Sequence, residues 1–333
     1  MRKLKFIAAL ALAALLLAKP QAAATGAARA MAQWAEAVAP SVFPFLALLP
    51  LLTSPEACAA YWALFGRATE ALMGLPGAAA SALAVGMAAG TPAGAVAARR
   101  VAARSGMNRG QLQRLALAGA GFSPAFLVGG VGAGLLGDPV LGWRLAIAQL
   151  LTQLTLALLL RRAWTRRTDP VPAADPARED PPVRGAVLTA LTIGGYMALF
   201  GAFGEILRQG LGGASLALLP LLDVPTGAAW IAALPIYMEA KLILLAGACG
   251  FGGLCANLQA LAALRGCGVR AGEWFALRGV AGLVCAGWMA LLLRLRRPGP
   301  LPDMVRANPL AAAGLCACAL AVPVLMKIQK SNS

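Results

Sequence analysis

Apolar residues fall into long blocks separated by short polar or glycine- and proline-bearing breaks. Blocks at 6–18, 38–52, 115–136, 141–160, 186–207, 214–222, 228–245, 244–264, 274–293 and 310–326 predict about eight to ten membrane-embedded helices. In hydrocarbon every backbone donor and acceptor needs an internal partner, so helix-breaking residues within these blocks mark special structure. Pro40, Pro44 and Pro50 interrupt the block at 38–52. Residues 77–98 are almost all small, with Gly90-Thr91-Pro92-Ala93-Gly94 at their centre. Small residues allow close backbone approach and the central five break a helix, which predicts a re-entrant hairpin with this tip.

The polar stretches divide the chain. Three bases precede the first apolar block and small residues follow it near Ala22–Ala24, which fits either a signal peptide or a short first helix. The retained helix is favoured because the rest of the chain is itself embedded. Residues 26–38, with Arg29, Gln33, Trp34 and Glu36 among alanines, read as an interfacial helix with Trp34 at head-group level. Arg99, Arg100, Arg104, Arg109 and Arg114 predict a cytoplasmic surface helix. Residues 161–184 hold arginines, acids and prolines and read as a flexible cytoplasmic linker between halves.

Composition supports the membrane reading: 60% of residues are hydrophobic, 13% are charged and mean hydropathy is +0.74. Soluble domains average about 45–50% apolar and about 25% charged. The net charge of +16 lies in loops without interleaved aromatics, so it fits anionic lipid head groups and not nucleic acid. Histidine is absent, which excludes His-containing zinc sites, Ser-His-Asp triads and histidine proton relays. The seven cysteines form no CxxC pair and lie mostly in apolar runs, so neither a redox nor a metal role is read from them. With no paired carboxylates and no nucleophile–base pair, no enzyme is expected and no cofactor is required.

Two anchors suggest an internal repeat. Leu75-Pro76 matches Val224-Pro225 at an offset of 149, and Gly121-Phe122 matches Gly250-Phe251 at an offset of 129. A single 20-residue deletion reconciles them, and it places the hairpin tip Gly90-Thr91-Pro92 on Glu239-Ala240-Lys241. The turn at 119–124 then falls on residues 248–253. The fold class expected is an all-α polytopic membrane protein of two related halves, with re-entrant helical hairpins and broken helices. Its parts are a first helix or signal-like segment at 1–25, a repeat at 26–160, the linker, a second repeat at 185–297, and a last loop and helix at 298–333.

Glu239 and Lys241 stand inside an apolar run, where an ionisable pair is a functional-site candidate; a pair snorkelling to the interface is the alternative. Gly250, Gly252 and Gly253, with Asn257 and Gln259 downstream, could give unwound backbone and half-helix ends for an anion, or the amides could join helices. In the first half Gly90, Thr91, Pro92, Gly94 and Ser123 correspond, with Gln149, Thr152 and Gln153 on the following helix.

The segment with the GTPAG tip and GFGGLCANLQALAAL at 250–264 resemble the Gate, or nucleoside-recognition, domain of sporulation integral membrane proteins of the YlbJ type. The second segment is also similar to the GFANFSSIAIQ hairpin of concentrative nucleoside transporters, and MEAKLIL to the charged helix before it. This resemblance implies a transporter with two hairpin-containing repeats, moving dipicolinic acid from the mother cell toward the forespore. It implies a substrate site along 90–94, Glu239, Lys241 and 250–259. The first-half turn departs from the Asn-rich pattern of such relatives, with Ser123 its one polar side chain. The expected partners are a small anionic substrate, the bilayer and, as an open option, a second copy of the chain. The coupling ion is a proton or sodium, and the location is the bacterial cell membrane. A nucleoside-type permease and a non-transporting scaffold docking through the arginine helix are the alternatives.

Overall fold

The computed structural model describes residues 2–163, 169–172, 181–210 and 217–295. The expected last helix at 310–326, most of the linker and part of the block at 214–222 lie outside these residues. The described chain is all-α. In order it comprises α1 (Arg2–Ala18), α2 (Pro20–Gln33), α3 (Ala39–Leu52), α4 (Pro55–Met73), α5 (Ala79–Ala89), α6 (Ala93–Arg104) and α7 (Arg109–Ala118). A π-helical segment, Ala125–Leu135, leads to α8 (Pro139–Leu159) and α9 (Pro182–Gly210). The short α10 (Leu219–Leu222) and α11 (Val224–Ala233) precede α12 (Met238–Phe251), α13 (Gly253–Ala263) and α14 (Ala271–Leu295).

Among the described residues four helical spans are long and apolar enough to cross a membrane: α8, α9, the broken pair Met238–Ala263 and α14. Two sharply bent pairs raise the number to six. The first bends by 100° between α1 and α2, the second by 91° between α3 and α4. Large apolar side chains such as Leu64, Phe65, Trp143 and Leu191 stay exposed on the outside, as lipid solvation allows.

Small residues set the closest contacts. A Cβ on Gly201 would stand 2.5 Å from the Ala30 Cβ and 2.7 Å from the Gly26 carbonyl, so α2 and α9 touch through their backbones. The expected interfacial helix is therefore packed: Trp34 donates to the Ala190 carbonyl at 3.0 Å and its ring covers Gly194. Gly250 meets α14 in the same way, its absent Cβ falling 2.7 Å from the Ala281 carbonyl.

The arginine stretch forms two largely buried helices, α6 and α7, in which Arg99 and Arg104 stay exposed as expected and Arg114 does not. Arg99 donates to the Ala263 carbonyl at 3.2 Å, Arg104 to Thr53 at 3.0 Å, and the buried Arg114 to Arg161. These carbonyls lie at the ends of α13, α3 and α8, so three guanidinium groups satisfy helix C-termini that have no intrahelical donors. Residues 169–172 of the linker pair with the free backbone of the α6–α7 turn. Val171 donates to Met107 at 3.1 Å, and Arg109 donates to Asp169 at 2.9 Å. Pro235 divides the block at 228–245, so α11 and α12 are separate helices joined by an exposed turn.

Candidate functional site

Two places where the chain leaves helical geometry meet inside the molecule. In the first, α5 and α6 form a hairpin: a Cβ on Gly94 would lie 2.8 Å from the Gly86 Cα. Its tip at Gly90-Thr91-Pro92 docks on the break 119–124, with Thr91 N donating to the Gly121 carbonyl at 2.7 Å. Gly121 N returns a bond to Thr91 Oγ1 at 3.1 Å. Gly90 has φ +72, and a Cβ there would sit 2.8 Å from Ser123 N, so only glycine fits this approach. From α8, Gln149 accepts from Phe122 N at 2.9 Å and donates to the Phe122 carbonyl at 2.8 Å. Ser123 Oγ accepts from Phe126 N at 3.2 Å and opens the π-helix.

The second break, Phe251-Gly252-Gly253, halves the span Met238–Ala263. Gly252 has φ +90 and Gly253 φ +66. A second tip, Leu222-Asp223-Val224, docks here, the Leu222 carbonyl lying 3.2 Å from where a Gly253 Cβ would be. Asp223 caps α11, accepting from Thr226 N at 3.1 Å and Thr226 Oγ1 at 2.8 Å. The freed Phe251 carbonyl accepts from Asn257 Nδ2 at 2.8 Å and Arg278 Nε at 3.0 Å. Asn257 also receives the Trp274 indole N–H at 2.8 Å. The other arm of Arg278 crosses to the first break, Nη1 donating to the Ala120 carbonyl at 3.0 Å.

The breaks are built alike. Each contains the phenylalanine of a Gly-Phe pair, each receives a tip with proline two residues before glycine, and each is held by a side chain 27 residues beyond that phenylalanine, Gln149 or Arg278. The counterpart of Gly90-Thr91-Pro92 is thus Asp223-Val224-Pro225, where both the proline and the close glycine recur, and not Glu239-Ala240-Lys241.

A cavity of about 370 Å³ lies between the breaks. Phe122, Phe126, Ile193, Met197 and Val224 give it apolar walls, and Gln33, Thr91, Ser123, Asp223 and Gln259 supply polar groups. Of the residues singled out from sequence, Thr91, Ser123, Gly252 and Gln259 reach this cavity. Gly90, Gly94, Gly250, Gly253 and Asn257 stand behind it as framework, and Pro92 lines an adjoining 240 Å³ pocket that Gln259 shares. Glu239 and Lys241 lie at the α11–α12 turn and do not line it; Lys241 Nζ donates to the Ala232 carbonyl at 2.6 Å, closing α11. Asp223 and Arg278 are additions from the structure. The sequence signals that would have found them are the repeated Pro-x-Gly spacing for the first and the equal distance from each Gly-Phe pair for the second.

The chain is similar to one curated relative. The sporulation integral membrane protein YlbJ of Bacillus subtilis (strain 168) is 26% identical over 326 residues, covering 84% of this chain and 80% of the relative. The likeness supports a YlbJ-type assignment. With its apolar spans, the chain reads as an integral membrane protein similar to that sporulation protein. No protein-family model and no solved structure matches the chain.

Proposed function

We propose that this chain is a transporter for a small anionic molecule, with dipicolinate as the expected substrate and the central cavity as its site. The observation that carries this reading is the convergence of two backbone breaks on one cavity halfway along a membrane span. Transporters use unwound backbone in this position because it offers polar groups without a full complement of buried charges. The apolar walls suit a planar ring, and Thr91, Ser123 and Gln259 orient it. The likeness to the sporulation protein YlbJ supports a role in sporulation, and the direction proposed is from mother cell toward forespore.

The test is flux of radiolabelled dipicolinate into liposomes containing the purified chain, with uridine in parallel and with or without a proton or sodium gradient. Dipicolinate flux supports the reading, and the gradient that drives it names the coupling ion. Uridine flux alone replaces it with the nucleoside-type permease. Flux of neither by folded protein leaves the scaffold reading.

A further inference from the structure

Arg278 is 4% exposed, yet among the described residues no ion pair involves it. Its Nε and Nη1 bond the Phe251 and Ala120 carbonyls, one from each break. Nη2 lies against Gly252, 2.9 Å from the position a Cβ would occupy there, and Gly252 lines the cavity. A frame for a broken helix does not require a charge, since Gln149 holds the equivalent break with a neutral amide. Burying a cation against carbonyl dipoles alone is expensive, and a bound anion offsets that expense. The Asp223 carboxyl is engaged with Thr226 at the N-terminus of α11.

We propose that Arg278 is the anion-binding residue of the cavity, donating from Nη2 to a substrate carboxylate past the bare face of Gly252. The proposal rests on the cavity being the substrate site. Because the same guanidinium joins both breaks, a bound carboxylate draws on the charge of the group that ties them together. Occupancy is thereby linked to their contact.

The experiment is calorimetric titration of the full chain in detergent with dipicolinate and with benzoate, for the native protein, Arg278→Gln and Arg278→Lys. A hydrogen bond to a charged group corresponds to about a tenfold to hundredfold change in Kd. Arg278→Gln is expected to weaken binding at least that far. Arg278→Lys is expected to weaken it about tenfold, because one ammonium cannot reach both carbonyls and the ligand together. Should the Gln variant fail to fold, the Lys variant decides alone. Unchanged Kd in either folded variant, or binding of neither carboxylate by the native protein, overturns the assignment. Arg278-dependent binding without liposome flux would overturn the transporter reading and leave this one standing.

Discussion

Gln149 offers the most direct test of how the first break is held. Replacing it by methionine keeps the side chain's length and removes both bonds to Phe122, at 2.9 and 2.8 Å. A buried hydrogen bond contributes about 1 kcal/mol net, whereas removing one partner and leaving a backbone group unsatisfied costs about 1–3 kcal/mol. Hydrogen bonds within membranes average lower, about 0.6 kcal/mol, because the unfolded segment also finds partners. Two bonds at the membrane average sum to about 1 kcal/mol and two orphaned groups to about 2–6 kcal/mol, so the expected destabilisation is about 2–4 kcal/mol, toward the lower part of the second range. Gln153 provides the control on the next turn: its contact with the Ala120 carbonyl is long, at 3.4 Å, and that carbonyl already receives Arg278. Gln153→Met is expected to stay below about 1 kcal/mol. Both values come from reversible unfolding in mixed micelles followed by tryptophan fluorescence. Equal effects for the two variants would refute the assignment of the break to Gln149.

Further outcomes follow from other contacts. Gly201→Val should separate α2 from α9 and lower the yield of folded protein in a size-exclusion assay, whereas Gly195→Ala, with nothing within 4 Å, should leave it unchanged. Arg104→Met frees the Thr53 carbonyl at the end of α3 and should cost about 1 kcal/mol in the micelle assay, with no effect on dipicolinate affinity. Lys241→Met should leave dipicolinate Kd within about threefold, since the lysine closes α11 away from the cavity; a tenfold loss would return the site to the Glu239–Lys241 pair. Gly90→Ala should abolish docking of the first tip, read as loss of dipicolinate binding in protein that remains helical by circular dichroism.

The helices and the first hairpin were legible because hydrophobic block length and small-residue content are local properties. Gly90 to Gly94 announced a tip, and Gly250 to Gly253 announced a break. What remained hidden depends on which distant groups meet. The arginines at 99, 104 and 114 looked like a charged surface, since a run of bases has the same appearance whether it faces water or closes helix ends. The likeness of the two breaks was legible at Gly-Phe and misaligned at the tip, because Leu-Pro and Val-Pro are common in such a background. The spacing of proline to glycine at 92–94 and 225–227 reflects a backbone contact. Glu239 and Lys241 drew notice as charges in an apolar run, but the end of a helix and its middle differ only by where Pro235 cuts the run.

The contrast between Gln149 and Arg278 bears on what the second half is for. If the two halves only had to close their breaks, one neutral amide in each would suffice, with two bonds and no desolvated charge. The second half instead carries a guanidinium and adds Asn257 to share the Phe251 carbonyl, while Trp274 fixes Asn257 in turn. That extra apparatus supports a group which is unfavourable for stability alone. Retaining a destabilising group within a well-supported frame is the pattern of a binding site, where stability is exchanged for recognition. The reach of Arg278 to Ala120 then has a consequence that a charge placed elsewhere on the cavity wall would lack. Any ligand that draws on its charge acts on both breaks at once, and alternating exposure of a site requires that kind of coupling between its two sides.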